Sequence, residues 1–262
     1  MTPQTDATGT VVGATTPVVQ TVTLADLTAA LLLGWRDFLA SPGLGLFFAS
    51  IYVAGGWLIV WAVTSSGQIW WTLPAAAGFP ILAPFIACGF YETSRRLEAG
   101  EALNWRSIMG VILRQKDRQI PSMAAVVVVF FLFWNFLAHM IFALFLGTAT
   151  MTNVTSSLAV FLTADGMLML AVGTVVGAGF AGVLFALTVV SLPLLLDREV
   201  DFVTAMITSV AVVTTNPGVM LVWGAGLGAL LFVGMLPWFL GLFIVLPVLG
   251  HATWHLYRRA LE

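Results

Sequence analysis

Near its C-terminal end the sequence LPVLGHATWHLYRR sets His251 and His255 four residues apart on one helical face, just ahead of Arg258 and Arg259. An i, i+4 histidine pair is a geometry that metal sites use, so the spacing raises a metal or haem centre as the first chemistry to consider. A catalytic zinc needs a third protein ligand, and this segment has no Cys, Asp or Glu to supply one. The remaining histidine, His139, falls in the outer half of another apolar run, about 20 Å away at ~1.5 Å of rise per residue. A bis-histidine haem needs ligands at matching depth on facing helices, and this arrangement does not provide them. The reading is therefore no metal and no cofactor, with His251, His255, Arg258 and Arg259 in a structural or interfacial role.

A second group lies deeper. Asn135 and His139 share a helical face within FLFWNFLAHMIF, and Asp165, in LTADGML, has a depth that suits a pair with His139. Polar side chains inside an apolar helix most often act as hydrogen-bond glue between helices. The sharper alternative is a ligand or proton route, because ionisable groups within a membrane are functional candidates. No Walker loop, nucleophile elbow, HExxH or CxxC motif occurs, and GAGFAG at 177–182 lies in an apolar run with no strand before it, so it is no dinucleotide fingerprint. The expectation is a chain that is not an enzyme.

The elements that must position these residues are set by composition. Of 262 residues 60% are apolar and 8% charged, against roughly 25% charged in a soluble domain. The solvent for so much apolar surface has to be a lipid bilayer. A net charge of -2 gives no reason to expect nucleic acid as a partner. The single cysteine, Cys88, excludes an internal disulfide and reads as a buried thiol. Residues 1–23, rich in Thr, Pro and Gly, read as a disordered tail ahead of one membrane domain spanning 24–262.

Six runs are apolar enough to cross about 30 Å of hydrocarbon: 43–64, 74–91, 122–147, 167–194, 218–236 and 238–256. The last two form one continuous stretch, divided at GMLPW because Gly234 and Pro237 can break a helix. With this division all ten basic residues fall on one side, while the loops TSSGQIWWTL and GTATMTNVTSS carry no charge. By the positive-inside rule both termini are cytoplasmic, which requires an even number of spans.

Between the spans lie 24–40, 104–120 and 201–216, each opening on a capping residue (Thr23, Asn104, Asp201) and stopping before a proline (Pro42, Pro121, Pro217). They read as amphipathic helices in the membrane interface. Ala30, Gly34 and Pro42 keep the intervals of Ala205, Ser209 and Pro217, and Pro84 and Pro247 are each followed seven residues later by Tyr91 or Trp254. The fold expected is all-α: six membrane helices and three interfacial helices in three diverged repeat units, about 24–100, 101–199 and 200–262. In this alignment His255 stands where Glu92 stands, which adds Glu92, Arg95 and Arg96 to the interfacial candidates.

The segments GWRDF, APFIACGFYETSRRLEAGE, SLPLLLDREVDFVTAMITSV and LGHATWHLYRR resemble a bacterial family of integral membrane proteins known only as a domain of unknown function, over nearly the whole chain from residue 24. The resemblance implies a multi-pass protein of the bacterial inner membrane, and some relatives carry a cytochrome c oxidase subunit label. Three histidines cannot coordinate the two haems and copper of an oxidase catalytic subunit. Two functions follow as expectations. The first is an accessory, scaffold or assembly component of a membrane complex, of the respiratory kind if the label has substance. The second is a small transporter or lipid-handling protein with a site lined by Asn135, His139 and Asp165. A filled bundle would favour the first and a polar cavity reaching the midplane the second.

Overall fold

The computed structural model describes residues 18–66, 72–147 and 158–261, in which the elements are helical apart from one antiparallel bridge between Val19 and Leu261. Gln68, Glu262 and most of the two uncharged loops lie outside the described residues.

Local chemistry sets the helix starts. Helix α1 (Leu24–Ala40) opens with a capping box, in which the Thr23 hydroxyl accepts from the Asp26 amide and the Asp26 carboxylate accepts from the Thr23 amide. Ser41 caps its other end, and Pro42 begins α2 (Pro42–Ser66). Helix α3 (Thr72–Glu98) leads to α4 (Trp105–Arg114), which Asn104 caps and which ends in a 3-10 turn, Gln115–Asp117. Pro121 falls in the first turn of α5 (Ile120–Leu146), where its missing N–H is not needed. Helix α6 (Ala164–Thr188) is followed by the short α7 (Ser191–Asp197). Asp201 caps α8 (Phe202–Thr215), and α9 (Pro217–Met235) and α10 (Leu242–Ala260) complete the chain. The three expected interfacial segments are thus α1, α4 with its 3-10 turn, and α8.

Two features of the spans have identifiable causes. The expected span 167–194 is broken at residues 189–190. Pro193 has no N–H for the Val189 carbonyl, and the Val190 amide donates instead to Ser209 Oγ at 3.1 Å. The long apolar stretch divides where expected, with Trp238 and Phe239 in the left-handed region at φ 53° and 65°. Gly241 packs so close to Gly234 that an added Cβ would lie 2.7 Å from its backbone, and Trp57 Nε1 donates to the Trp238 carbonyl at 2.8 Å. The turn therefore has both the space and a partner for a backbone group that lipid could not satisfy.

Among the described residues four stretches are long and apolar enough to cross a membrane: 42–62, 120–146, 164–197 and 217–235. The other two expected spans correspond to α3 and α10, the helices that carry the buried acid and both C-terminal histidines. These two pack on each other and on α7, with α2, α5 and α1 around them. Burial is concentrated at the charged end of the bundle, where Cys88, Tyr91, Ile120, Met123, Leu194, Ala205, Trp254 and Tyr257 form one core. Away from it the spans expose their apolar side chains: within 120–146 only 6% of the most apolar 18-residue window is buried. Lipid solvates such side chains as well as protein does, so apolarity alone cannot draw the outer halves together. In the two glycine pairs spaced four apart in the spans, Gly173 with Gly177 and Gly224 with Gly228, Gly177 packs on Trp134 and Gly224 on Phe185, whereas Gly173 and Gly228 face open space.

Residues 18–23, expected from the sequence to belong to the tail, join the fold, while 1–17 lie outside the described residues. The buried Asn216 side chain accepts from the Val22 amide at 2.7 Å and donates to the Gln20 carbonyl at 3.1 Å, and the Gln20 amide donates to the Ala260 carbonyl at 2.9 Å. Asn216→Ala removes the acceptor of a buried amide and should lower stability by about 1–3 kcal/mol. It should also speed proteolytic cleavage between residues 18 and 23, and an unchanged cleavage rate would show that the clamp does not hold this segment.

Candidate functional site

Helix α1 buries the face made by Leu27, Ala30, Gly34, Asp37 and Phe38, spaced by three or four residues. That face lies along α10, the most extensive helix pairing among the described residues. The approach is close because Gly34 has no side chain: a Cβ there would stand 2.6 Å from the Ala252 amide nitrogen and the Val248 carbonyl oxygen. One turn further on, the approach delivers Asp37, 7% exposed, to the junction of α1, α3 and α10.

Asp37 Oδ2 is the hub of this junction. His255 Nε2 donates to it at 2.7 Å and Ser94 Oγ donates to it at 2.7 Å. Ser94 Oγ also lies 2.8 Å from His251 Nδ1. A serine hydroxyl has a single proton, so with that proton on Asp37 the hydroxyl must accept from His251 Nδ1–H. The result is a chain from His251 through Ser94 to Asp37, with His255 closing on the same oxygen. His251 is fully buried, with the Phe90 ring edge-on at 5.6 Å between centroids. Its Nε2 has no hydrogen-bond partner among the described residues.

A second fastening is built on Glu92, 1% exposed on α3. Arg95 holds it through Nε at 2.8 Å and Nη2 at 2.9 Å, and Arg96 Nε donates to it at 2.6 Å. Both arginines also approach Glu101, at 3.6 and 3.3 Å. A third joins α10 to the ends of α3 and α7. Trp254 Nε1 donates to Glu98 at 2.9 Å, Arg258 Nε to Glu98 at 3.2 Å, and the Tyr257 hydroxyl to Asp197 at 2.6 Å. Arg259 reaches Asp26 at 2.7 Å and ties the end of α10 to the start of α1. The Asp26 carboxyl is held below its ordinary value first by the Thr23 hydroxyl and then by the Thr23 amide, with Arg259 adding to the effect.

The structure therefore gathers Glu92, Arg95, Arg96, His251, His255, Arg258 and Arg259 at one end of the bundle, as the sequence reading does. It departs from that reading in their surroundings, because Glu92 and His251 are enclosed by protein where headgroups were expected. For His251 the reason is α1, which brings in Asp37 from 218 residues before His255, and for Glu92 it is the pair Arg95 and Arg96 on its own helix with α4 and α7 alongside. Asp37, Ser94, Glu98, Asp197 and Tyr257 are the members the sequence reading passed over. A signal for Asp37 existed, since it falls on the same stripe as Leu27, Ala30 and Gly34. The deeper trio is not brought together. Among the described residues His139 Nδ1 bonds only the Asn135 carbonyl of its own helix, at 2.7 Å. Both His139 and Asp165 are exposed, and no hydrogen bond or ion pair joins them among the described residues.

Chemically the charged end is an interhelical fastening. Among the described residues no cluster of three or more His, Cys, Asp or Glu could hold a metal ion. The cavity between α5 and α6, about 490 Å³, is apolar, lined by Trp134, Ile141, Met169 and Gly177 among others. No curated protein and no solved structure matches the chain. Residues 72–197, from α3 to the end of α7 and including Glu92, Ser94, Arg95, Arg96, Glu98 and Asp197, do match a family model described as "Predicted integral membrane protein (DUF2189)", so a little under half of the chain is similar to an integral membrane family of unknown function.

Proposed function

We propose that this protein is a non-enzymatic accessory, scaffold or assembly component of a membrane complex, a respiratory one being what the resemblance implies, with six spans in the bacterial inner membrane and both termini cytoplasmic. The observation that carries the reading is the disposition of polar side chains. Those at the charged end are bonded to one another across α1, α3, α7 and α10, and those within α5 and at the start of α6 remain apart. A transporter needs the opposite: polar groups converging on a cavity at mid-depth.

The packing also supports three related units. Gly34 on α1 and Ser209 on α8, matched by their spacing to the following proline, are both buried where they meet the neighbouring inner helix: Gly34 lies against Val248 and Ala252 of α10, and Ser209 Oγ accepts from the Val190 amide just ahead of α7. Each interfacial helix packs on the preceding inner helix in cyclic order: α1 on α10, α4 on α3, α8 on α7.

The test is to recover the tagged full chain from its native membrane in mild detergent and identify what accompanies it. The reading predicts respiratory membrane subunits at fixed stoichiometry. Recovery of the chain alone would contradict it and return the second reading, a small transporter or lipid-handling protein, to the front. A reporter fused after Glu262 should be active only on the cytoplasmic side, and activity on the far side would overturn the even number of spans.

A further inference from the structure

Of the four apolar stretches, the one that forms α5 is the least enclosed by the rest of the chain. Its outward face has a pattern of its own. Ala125, Val129, Leu132, Phe136 and His139 are all exposed and follow one another at intervals of four, three, four and three residues. That is the 3.5-residue repeat of a seam between two helices wound about each other. Asn135, half-buried, flanks the seam beside Phe136. No other outward face among the described spans carries an ionisable side chain away from its ends.

An ionisable side chain within a membrane span faces, almost without exception, the interior of a bundle or a watery cavity. His139 does neither within one copy of the chain. Its Nδ1 lies 2.7 Å from the Asn135 carbonyl, which can only accept, so Nδ1 carries the proton and Nε2 is left as an acceptor. Among the described residues Nε2 has no donor. The Asn135 side-chain amide has two N–H donors and, among the described residues, no acceptor for either. Hydrocarbon satisfies none of these groups, and headgroups lie too far from the middle of a span to reach them.

The two unmet groups are complementary to each other, yet they sit on one helix and do not meet. A second copy of the chain brings them together. Copies inserted by the same loop charges share one orientation, so a two-fold axis along the bilayer normal sets α5 parallel to its counterpart with equal residues at equal depth. The bond from Nδ1 to the Asn135 carbonyl draws the His139 ring back one turn, to the depth of Asn135. The ring of one copy is therefore level with the Asn135 amide of the other. An acyl chain has no donor to offer.

We propose that α5 pairs with α5 of a second copy of this chain along the seam of Ala125, Val129, Leu132, Phe136 and His139, with His139 Nε2 of each copy accepting from the Asn135 side-chain amide of the other. The pairing goes beyond the accessory reading and does not rest on it, since a transporter could dimerise through the same face.

The first test is cross-linking of the full chain in its native membrane, with Cys88 replaced by Ser. Phe136→Cys on the seam and Phe232→Cys on α9 are matched in exposure, at 65% and 64% for the native side chains. Oxidation should join two Phe136→Cys chains into a disulfide dimer and leave the Phe232→Cys chains single. The second test reads affinity, by energy transfer between donor- and acceptor-labelled copies in dioleoyl phosphatidylcholine vesicles as lipid is added, with the labels on Lys116→Cys. His139→Leu should weaken association by about tenfold or more, the effect of losing interhelical hydrogen bonds in a bilayer. His139→Gln keeps an acceptor and should retain most of the affinity. Because His139 is exposed, neither variant should change the unfolding midpoint of the diluted chain in detergent.

A seam held by apolar packing alone gives the opposite order, with His139→Leu associating as tightly as the parent, and that result would overturn the proposal. Equal cross-linking at the two cysteine positions, or a Phe136→Cys adduct with a different protein in place of the dimer, would overturn it as well.

Discussion

Asp37→Ala should lower the unfolding free energy by about 3–5 kcal/mol, the cost of removing one partner from a buried charged network. Three observations set the size of the effect. Asp37 is 7% exposed, its Oδ2 accepts from both His255 and Ser94, and the Ser94 hydroxyl is in turn the acceptor for fully buried His251. Truncating Asp37 leaves the His255 and Ser94 donors facing apolar neighbours and breaks the contact by which α1 grips α3. Asp37→Asn keeps the shape and one acceptor, and should cost about 1–3 kcal/mol. Unfolding by titration with a denaturing detergent, followed by the tryptophans, gives both values. A loss under about 1 kcal/mol for the alanine variant would mean that the network is surface decoration, which is what exposed ion pairs amount to.

Gly34→Val should be comparably severe by a different route. Even the first carbon of a side chain would sit 2.6 Å from the Val248 carbonyl and the Ala252 amide, and these are backbone atoms of a helix that cannot turn aside. The helices must separate, and overpacking of this kind costs typically 1–3 kcal/mol, with more where no flexible side chain can yield. Separation also draws Asp37 away from His255, so the loss should exceed that range and appear as poor yield of folded protein. Gly173→Val, where nothing lies within 4 Å, serves as the control and should be tolerated. Equal behaviour of the two variants would show that α1 does not pack on α10 at this distance.

What could be read from the sequence was what is decided locally. The starts of α1, α4 and α8 follow from Thr23, Asn104 and Asp201, whose side chains cap the backbone two or three residues on. The turn between α9 and α10 follows from Gly234 and Pro237. The gathering of arginines at one end follows from the asymmetry of the loops. What the sequence hid depends on partners distant along the chain. His251 and His255 look like the polar fringe of a membrane helix until α1 is placed across them. The mid-span polar residues give the converse case. Asn135 and His139 share a face as their spacing implies, yet a helix face says nothing of its neighbour, and α5 turns His139 outward. Read as apolar runs, 74–91 and 238–256 look like spans of the same kind as α5, yet α3 and α10 are the inner helices, carry the bundle's polar contacts and are not among the four stretches apolar enough to cross.

The central claim is that the polar groups of this protein fasten its helices and that no aqueous path runs through the spans. Asn135 tests it most directly, because it is half-buried near the middle of α5, and Cys88, fully buried, can be replaced by Ser to give a thiol-free background. In that background Asn135→Cys should not react with a water-soluble, membrane-impermeant maleimide applied from either side of the membrane, while Lys116→Cys on the charged end reacts readily. Labelling of the Asn135→Cys thiol at a rate approaching that of the Lys116→Cys thiol would mean that water reaches mid-depth, and the filled-bundle account would be contradicted.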